Sequence, residues 1–404
     1  MIENIFKTIS EQVPVHIKGV ERQRQINQVV HQLPQNEIDT IREHFQKISL
    51  FMRQQEASDI EVGGPMSKEA IWFRIHGRKT PQAKLGKWSL DHSDILCHSL
   101  LDKMQIKRLL DRGAVDFSYS VTQNDDLYRW RATVYFDLGH LALNMRAINA
   151  TVYPFSKLGF HRNVARSLSL LHEKQGLILI TGITGSGKST TMDSIVDANN
   201  QSVDGHIVII GDPIEYVHKS KRCLVRHREV GRDVVDFKQG AVQALRQDPD
   251  IIIVGEMRDP ETIMSCLEIS DTGHKVFSTL HTGSAVETID RIVAECPPEE
   301  QDRIRVRLAD QLRVVVSQKL VPNRKGKRTL AKEVLLVNSS VKAAIRNKNI
   351  HEIYQMISEG GKNGLITMEQ DLFRLYQRGE IDEDVAMDYS NNKMRIKELL
   401  SKLY

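Results

Sequence analysis

Leu177-Ile-Leu-Ile-Thr-Gly182-Ile-Thr-Gly-Ser-Gly187-Lys188-Ser189 is the stretch that decides the fold class of this 404-residue chain. An apolar run suited to a buried strand leads into the complete pattern G-x-x-x-x-G-K-[ST], and a helical segment follows over residues 190–198. In such a unit the glycines let backbone N–H groups turn toward phosphate oxygens, and the helix N-terminus adds its positive dipole end. The stretch therefore predicts an α/β fold that binds a nucleoside triphosphate. A glycine-rich connection without a ligand is the alternative, and the pattern in its context disfavours it.

The residues of this loop have separate predicted tasks. Lys188 would reach the β and γ phosphates, and the Ser189 hydroxyl would ligate Mg²⁺. The expected cofactors are therefore ATP and Mg²⁺. The predicted nucleotide-binding residues are Gly182, Ile183, Thr184, Gly185, Ser186, Gly187, Lys188, Ser189 and Thr190.

Three more apolar runs end in polar motifs. Residues 207–210 precede Gly211-Asp-Pro-Ile-Glu215, residues 251–254 precede Gly255-Glu-Met-Arg-Asp259, and a shorter run leads to His281. The alternation of strands and helices predicts a parallel sheet with crossover helices. Because ligands bind beyond the carboxyl ends of such strands, we expect the four motifs to meet in space.

Three side chains join Lys188 as candidate catalytic residues. Glu215, with Asp212 nearby, would handle the attacking water or Mg²⁺, although an Asp-Pro turn on its own is commonly structural. Glu256 would supply the acidic group of the third strand, where the usual Asp is a glycine, and would help to hold Mg²⁺. His281 is a candidate γ-phosphate sensor, whereas an isolated His is more often structural.

Two helix starts are expected downstream of these motifs. Asp259 and Pro260 suit the N-cap and the first position of a helix. Ser284 and Glu287 have the spacing of a capping box. All four residues are predicted to be structural.

The first half of the chain carries weaker patterns. Residues 1–55 are predicted to form a helical extension with five apolar residues on one face, Ile38, Ile41, Phe45, Ile48 and Met52. Packing of this stripe on the rest of the chain is favoured over a coiled coil or a partner surface, because sustained heptads are missing. Residues 57–148 alternate in short segments, which predicts a small α+β domain, and residues 149–159 suit an interdomain linker.

Composition argues against several classes of protein. The chain has 56 Lys+Arg against 52 Asp+Glu, a formal net charge of +4 that leaves nucleic-acid binding unsupported. No apolar run approaches the roughly 20 residues that span a bilayer, and the N-terminal residues lack the pattern of a secretory signal, so a cytoplasmic location is expected. Four widely spaced cysteines without a Cys-x-x-Cys pair predict buried thiols rather than disulfides or a zinc ribbon.

Taken together, the motifs resemble those of the PilT/GspE superfamily of type II and type IV secretion and pilus ATPases. Residues 182–189 resemble the Walker A motif, residues 211–218 the Asp box, residues 254–259 the Walker B motif, and residues 278–282 the His box. The resemblance is closest to the pilus retraction ATPases and covers about residues 57–385.

The residue patterns of the first half, together with this resemblance, predict an organisation in five parts. These are a helical N-terminal extension (1–55), a small α+β PAS-like domain (56–150), a linker (151–163), a RecA-like P-loop ATPase core (164–335) and a helical C-terminal segment (336–404). The resemblance also implies a homo-hexameric ring with ATP between protomers, docked on the inner-membrane platform protein of a pilus or secretion machine. The ring would be cytoplasmic and peripheral at the inner membrane, without nucleic acid and without a membrane span.

The resemblance also assigns roles. It implies that Glu215, Glu256 and His281 take the family's catalytic positions. Three arginines of the N-terminal domain, Arg129, Arg131 and Arg146, match a pattern that reaches a neighbour's nucleotide, and solvated strand charges are an equal alternative.

The function that the resemblance implies is an ATP-hydrolysing motor at the cytoplasmic base of a type IV pilus, driving retraction. Two alternatives stay open: an ATPase that energises secretion or conjugation, and a regulatory subunit that binds ATP without turnover. Gly211, where relatives commonly carry Glu, permits the second alternative. The absence of the four-cysteine zinc element of assembly motors favours retraction.

Overall fold

The computed structural model describes residues 2–124, 126–148 and 151–403. The chain divides into two compact units, residues 1–150 and residues 151–404, each with its own sheet and core. Asn149 and Ala150, where the predicted PAS-like domain meets the predicted linker, lie outside the described residues.

The first unit has three N-terminal helices followed by an antiparallel sheet. Its elements are α1 Ile2–Gln12, α2 Gly19–Gln32, α3 Gln35–Gln54, β1 Asp59–Gly63, β2 Trp72–Ile75, β3 Arg78–Pro81, α4 Leu90–Leu100, α5 Lys103–Arg112, β4 Ala114–Gln123, β5 Asp126–Asp137 and β6 His140–Ala147. The strand order is β3-β2-β1-β6-β5-β4. Every neighbouring pair is antiparallel, as expected for a small α+β, PAS-like fold.

The apolar stripe of α3 is buried within this unit. Phe45 and Met52 are fully buried in one core with Ile60 of β1 and Trp130 of β5. The prediction that the stripe packs on its own chain is confirmed. Burial of these large apolar side chains stabilises the unit because it removes apolar surface from water.

The second unit contains the other elements. They are α6 Arg162–Leu168, β7 Gly176–Thr181, α7 Lys188–Ser202, β8 Gly205–Gly211, β9 Cys223–Glu229, α8 Phe237–Ala244, β10 Ile251–Val254, α9 Pro260–Asp271, β11 Lys275–Leu280, α10 Ala285–Ala294, α11 Gln301–Gln311, β12 Leu312–Pro322, β13 Arg328–Leu336, α12 Ser339–Arg346, α13 Ile353–Glu359, α14 Met368–Gln377, α15 Glu383–Tyr389 and α16 Lys393–Leu400. The strand order is β13-β12-β7-β11-β10-β8-β9. All neighbours are parallel except β12 and β13.

Strand β7 shows why the second sheet needs continuous apolar runs. Leu177 and Leu179 belong to the core on one face, and Ile178 and Ile180 belong to the core on the other. A strand covered on both faces buries every residue, so its sequence loses the alternation of a half-exposed strand.

The predicted linker, residues 151–163, is shorter in the structure. A short 3₁₀ helix spans Phe155–Leu158, and α6 begins at Arg162, two residues before the predicted start of the ATPase core. Phe155 and Phe160 pack against the core of the second unit. An aperiodic sequence resembles a linker even when its aromatic side chains are partly buried, which explains the difference.

Two expectations from composition agree with the described residues. None of the described helices combines the length and the apolar character that crossing a membrane requires. All four cysteines are buried free thiols.

A buried carboxyl group lies in β13. Glu333 is 2% exposed, and its Oε1 accepts a hydrogen bond from the backbone N–H of Ala285, the first residue of α10, at 2.8 Å. Burial raises the pKa of Glu333 to about 7. In the folded protein this carboxyl therefore keeps its proton at pH values where the unfolded chain has lost it.

This carboxyl makes stability depend on pH. At pH values between the ordinary pKa of a glutamate and about 7, the folded protein binds more protons than the unfolded chain. The contribution of Glu333 to folding stability is therefore full below this pH range and is lost as the pH rises through it. Glu333→Gln keeps the acceptor and removes the titration. As the pH rises from 5 to 8, we expect the free energy of unfolding of the variant to increase by up to roughly 3 kcal/mol relative to that of the wild type. Melting temperatures of both proteins at the two pH values check this, and a pH-independent difference would contradict it.

Candidate active site

Four loops leave the second sheet at the same edge. β7, β11, β10 and β8 are consecutive and parallel, and the four predicted motifs follow them directly. Their convergence follows from this order of strands.

The phosphate-binding loop after β7 requires glycine for two separate reasons. At Gly182, with φ +145°, a Cβ atom would lie 2.5 Å from the backbone oxygen of Gln318 and from Ser186 Oγ. Gly187 takes φ +90° immediately before α7 begins at Lys188. Both conformations and the close approach exclude other side chains.

Gln318 of β12 supports this loop. Its side chain is almost completely buried, and Nε2 donates to the Ser186 carbonyl at 2.9 Å. None of the sequence motifs pointed to this residue. The sequence signal that could have identified it was the single amide side chain in the largely apolar segment 312–321. A buried amide normally has a specific hydrogen-bond partner.

Lys188 is folded over the loop that it belongs to. Its Nζ donates to the carbonyls of Gly182 at 2.8 Å and Ile183 at 3.2 Å. Burial lowers the pKa of Lys188, and the charges of Glu256 and Glu215 oppose that shift. Both carboxylates therefore act electrostatically on the lysine, as the predicted convergence requires.

Glu256 lies between two partners beyond the end of β10. Its Oε2 is 2.7 Å from Arg258 Nη2, and its Oε1 is 3.3 Å from His281 Nε2. The motifs assigned no role to Arg258. The sequence signal for this ion pair was an arginine two residues after the glutamate.

His281 joins the P-loop to Glu256. Its Nδ1 lies 3.5 Å from Thr184 Oγ1. Burial, followed by the charge of Lys188, lowers the pKa of His281, so the ring is neutral at neutral pH. A neutral ring can donate from Nε2 to Glu256 and accept at Nδ1. The imidazole can therefore hydrogen-bond to Thr184 and Glu256 at the same time.

Glu215 lies in the segment between β8 and β9 and is partly buried. The Asp212–Pro213 bond in this segment is cis. Gly211 precedes it, and a Cβ atom there would lie 2.9 Å from Ile214 Cδ1. The space that a larger residue would take at 211 is thus used by Ile214.

The two predicted helix starts are present, one of them with a correction. Asp259 caps α9 by accepting from Thr262 N at 2.8 Å, with Pro260 at the first position. Ser284 caps α10. Glu287 accepts from Gly283 N instead of Ser284 N, so the reciprocal half of the capping box was wrong by one residue.

The three candidate arginines lie in the first unit. Arg131 and Arg146 face each other across β5 and β6 and are exposed, and Arg146 Nε donates to Asp59 Oδ1 at 2.8 Å. Arg129 is 8% exposed. Arg131 and Arg146 are therefore better placed than Arg129 to meet another molecule.

The described residues provide no group of three or more His, Cys, Asp or Glu that could hold a metal ion by themselves. The donor set of Ser189 and Glu256, a hydroxyl and a carboxylate, fits Mg²⁺.

Comparisons with known proteins agree with this geometry. Residues 35–380 match the family model described as "Type II/IV secretion system protein". The Pseudomonas aeruginosa "Type IV pilus retractation ATPase PilT" is 38% identical over 340 residues, which cover 84% of this chain and 95% of that protein. The Neisseria gonorrhoeae "Twitching motility protein" is 35% identical over 324 residues, covering 79% of this chain and 84% of that one.

A solved structure has the same fold. "Crystal Structure of the Pilus Retraction Motor PilT and Bound ADP" shares 37% sequence identity, has a TM-score of 0.77, and covers 87% of this chain and 98% of that one. The resemblance inferred from the four motifs is thereby confirmed. The chain belongs to the type II/IV secretion system protein family, within the PilT/GspE superfamily of ATPases.

Proposed function

We propose that this protein is an ATP-hydrolysing motor that drives retraction of a type IV pilus. The observation that carries the proposal is the contact of Glu256 with His281 beside the P-loop, in a chain similar over most of its length to a pilus retraction ATPase. The similar crystal structure of PilT contains bound ADP, which supports a nucleotide as the ligand of the same loop in this chain.

Each residue has a role in the proposed hydrolysis. Lys188 leaves the carbonyls of its own loop for the β and γ phosphates, where its charge offsets theirs. Glu215 orients or deprotonates the attacking water. His281, in contact with Thr184 and Glu256, reports the presence of the γ-phosphate. Ser189 and Glu256 would hold Mg²⁺ together with a bound nucleotide, and the ion would offset the negative charge on the phosphates as the γ-phosphoryl group is transferred to water.

We further propose that six copies form a ring in which Arg131 and Arg146 reach the nucleotide of a neighbouring protomer. Exposed guanidinium groups suit bidentate contact with phosphate. The ring would lie in the cytoplasm, against the platform protein of the pilus at the inner membrane. ATP-driven closure of the two units would supply force.

A second candidate function is favoured by the family description. The family includes type II and type IV secretion proteins, so the same chemistry can energise secretion or conjugation. A regulatory subunit without turnover is the alternative of another class.

The test is time-lapse imaging of pilus length in cells that lack this protein, with the wild-type gene restored as the control. Long pili that extend and never retract are the expected result. Intact retraction together with lost secretion would move the function to the second candidate. Intact retraction and secretion, with no ATP turnover by the purified protein, would favour the regulatory subunit.

A further inference from the structure

The segment that carries Glu215 has no helix or strand of its own. It runs from residue 212 to residue 222, between β8 and β9. A segment without ladder hydrogen bonds keeps one conformation only if other groups bind its backbone. The position of Glu215 therefore depends on the contacts on either side of it.

The first anchor lies just before Glu215. Ile214 N donates to Glu229 Oε2 at 3.3 Å, and Glu229 is 5% exposed at the end of β9. The Glu229 backbone is itself held, since its N–H donates to Asp233 Oδ2 at 2.8 Å.

The second anchor lies three residues after Glu215, at His218, whose side chain is 1% exposed. The ring donates from Nε2 to Asp193 Oδ1 at 3.0 Å, and the backbone N–H donates to His227 Nε2 at 3.0 Å. The two imidazoles are parallel within 3°, with centroids 6.3 Å apart. His218 is thus held through both its ring and its backbone.

The third anchor fixes the end of the segment. Asn200 is fully buried, and its side chain accepts from Lys221 N at 3.0 Å and donates to the Lys219 carbonyl at 2.8 Å. Lys221 Nζ donates to Asp197 Oδ1 at 2.7 Å.

The residues of α7 that make these contacts share one face of the helix. Asp193, Asp197 and Asn200 are spaced by four and three residues, which aligns their side chains along α7. The same helix begins with Lys188 and Ser189. One rigid element therefore carries the phosphate-binding residues at its start and the anchors of the Glu215 segment along its side.

We propose that the Asp193–His218 pair is a positioning device that holds Glu215 in register with the phosphates bound at the start of α7. The inference rests on the proposed hydrolysis, because it concerns the placement of the residue that acts on water. Asp193 acts through His218, so it is a positioning residue rather than a catalytic one. Among the three α7 residues that bind the segment, Asp193 is the nearest in sequence to Lys188 and Ser189, and its partner His218 is nearer in sequence to Glu215 than the partners of Asp197 and Asn200 are.

A charge-assisted hydrogen bond to a buried ring is strong, and its loss leaves only the backbone contact of His218 with His227 to hold the segment between Ile214 and Lys219. Small displacements of a reacting group are costly: about 1 Å can reduce a rate roughly a hundredfold. Nucleotide affinity is set by the P-loop, which the pair does not contact. The pair should therefore affect kcat and leave ATP affinity nearly unchanged.

The test compares Asp193→Ala with two other variants of the full chain. Asp193→Asn keeps an acceptor for His218 Nε2, and Asp197→Ala removes the neighbouring contact one turn further along the same face. We expect Asp193→Ala to lower kcat at least about tenfold with ATP affinity nearly unchanged, when all rates are compared well below the lowest melting temperature of the set. Asp193→Asn should restore most of the rate, and Asp197→Ala should stay near the wild type. An unchanged kcat in Asp193→Ala, or an equal loss in Asp197→Ala, would overturn the proposal.

Hydrogen exchange of residues 212–222 without nucleotide separates this inference from the proposed function. Faster exchange in Asp193→Ala than in Asp193→Asn is expected, whether or not the protein turns over ATP. Unchanged exchange would refute the anchoring itself. If exchange is faster in Asp193→Ala but the wild-type protein does not hydrolyse ATP, the anchoring contact is supported and its role in catalysis is rejected. That result would also count against the proposed function.

Discussion

Lys188→Ala should weaken ATP binding at least about a hundredfold, because the phosphates lose a charged hydrogen-bond partner. Lys188 is the lysine of the P-loop and is partly buried above the carbonyls of Gly182 and Ile183. Without it, the γ-phosphate would approach Glu256 and Glu215 with no cationic side chain from the loop to offset their charge. Isothermal titration of ATP into both proteins measures the loss.

Lys238→Ala is the matched control for this experiment. Lys238 is an exposed lysine of the same unit, where it pairs with Glu261 at 2.9 Å. An exposed pair of this kind contributes little to stability, so the control should bind ATP as the wild type does. Wild-type affinity in Lys188→Ala would refute the assignment of the P-loop.

Glu215→Gln should retain ATP binding and slow hydrolysis at least about a hundredfold. The amide has nearly the same shape as the carboxylate and cannot accept the proton of the attacking water. Phosphate release under saturating ATP measures the rate, and Glu299→Gln, an exposed change in the same unit, is the control. Substantial turnover in Glu215→Gln would transfer the role to Glu256 or Asp212.

The same variant tests the proposed ring. If Arg131 acts across an interface, mixing Arg131→Ala with Glu215→Gln creates some sites that combine an intact arginine with an intact glutamate. The mixture should then exceed the average rate of the two parents, with sedimentation confirming mixed assemblies. A rate at the parental average in mixed assemblies would reject action across the interface.

Much of the ATPase fold follows from local sequence. Ile251–Val254 forms β10 with the same limits as the apolar run, because a short run of consecutive apolar residues suits a strand that is buried on both faces. The P-loop was predictable for a similar reason, because its backbone conformation requires glycine and the glycines are visible in the sequence. Local rules of this kind need no knowledge of distant partners.

Other features depend on residues far apart in the chain. Gln318 lies 132 residues from the loop that it supports, and Ala285 donates to Glu333 across 48 residues. Neither pair has a spacing that local periodicity can reveal. The side-chain roles of Glu215, Glu256, His281 and the arginines stay predictions, because they describe encounters with a nucleotide or with another protomer.

The burial of the cysteines gives this chain a practical advantage for fluorescence. Burial raises the pKa of Cys223 to about 11 and that of Cys266 to about 12, and the other two thiols are also buried and shifted upward in pKa. Maleimide dyes react with exposed thiolates, so all four native cysteines should label slowly. A cysteine placed at an exposed position in each unit would accept a dye without prior removal of the native ones. Energy transfer between two such dyes would then report any change in the distance between the labelled positions when ATP is added.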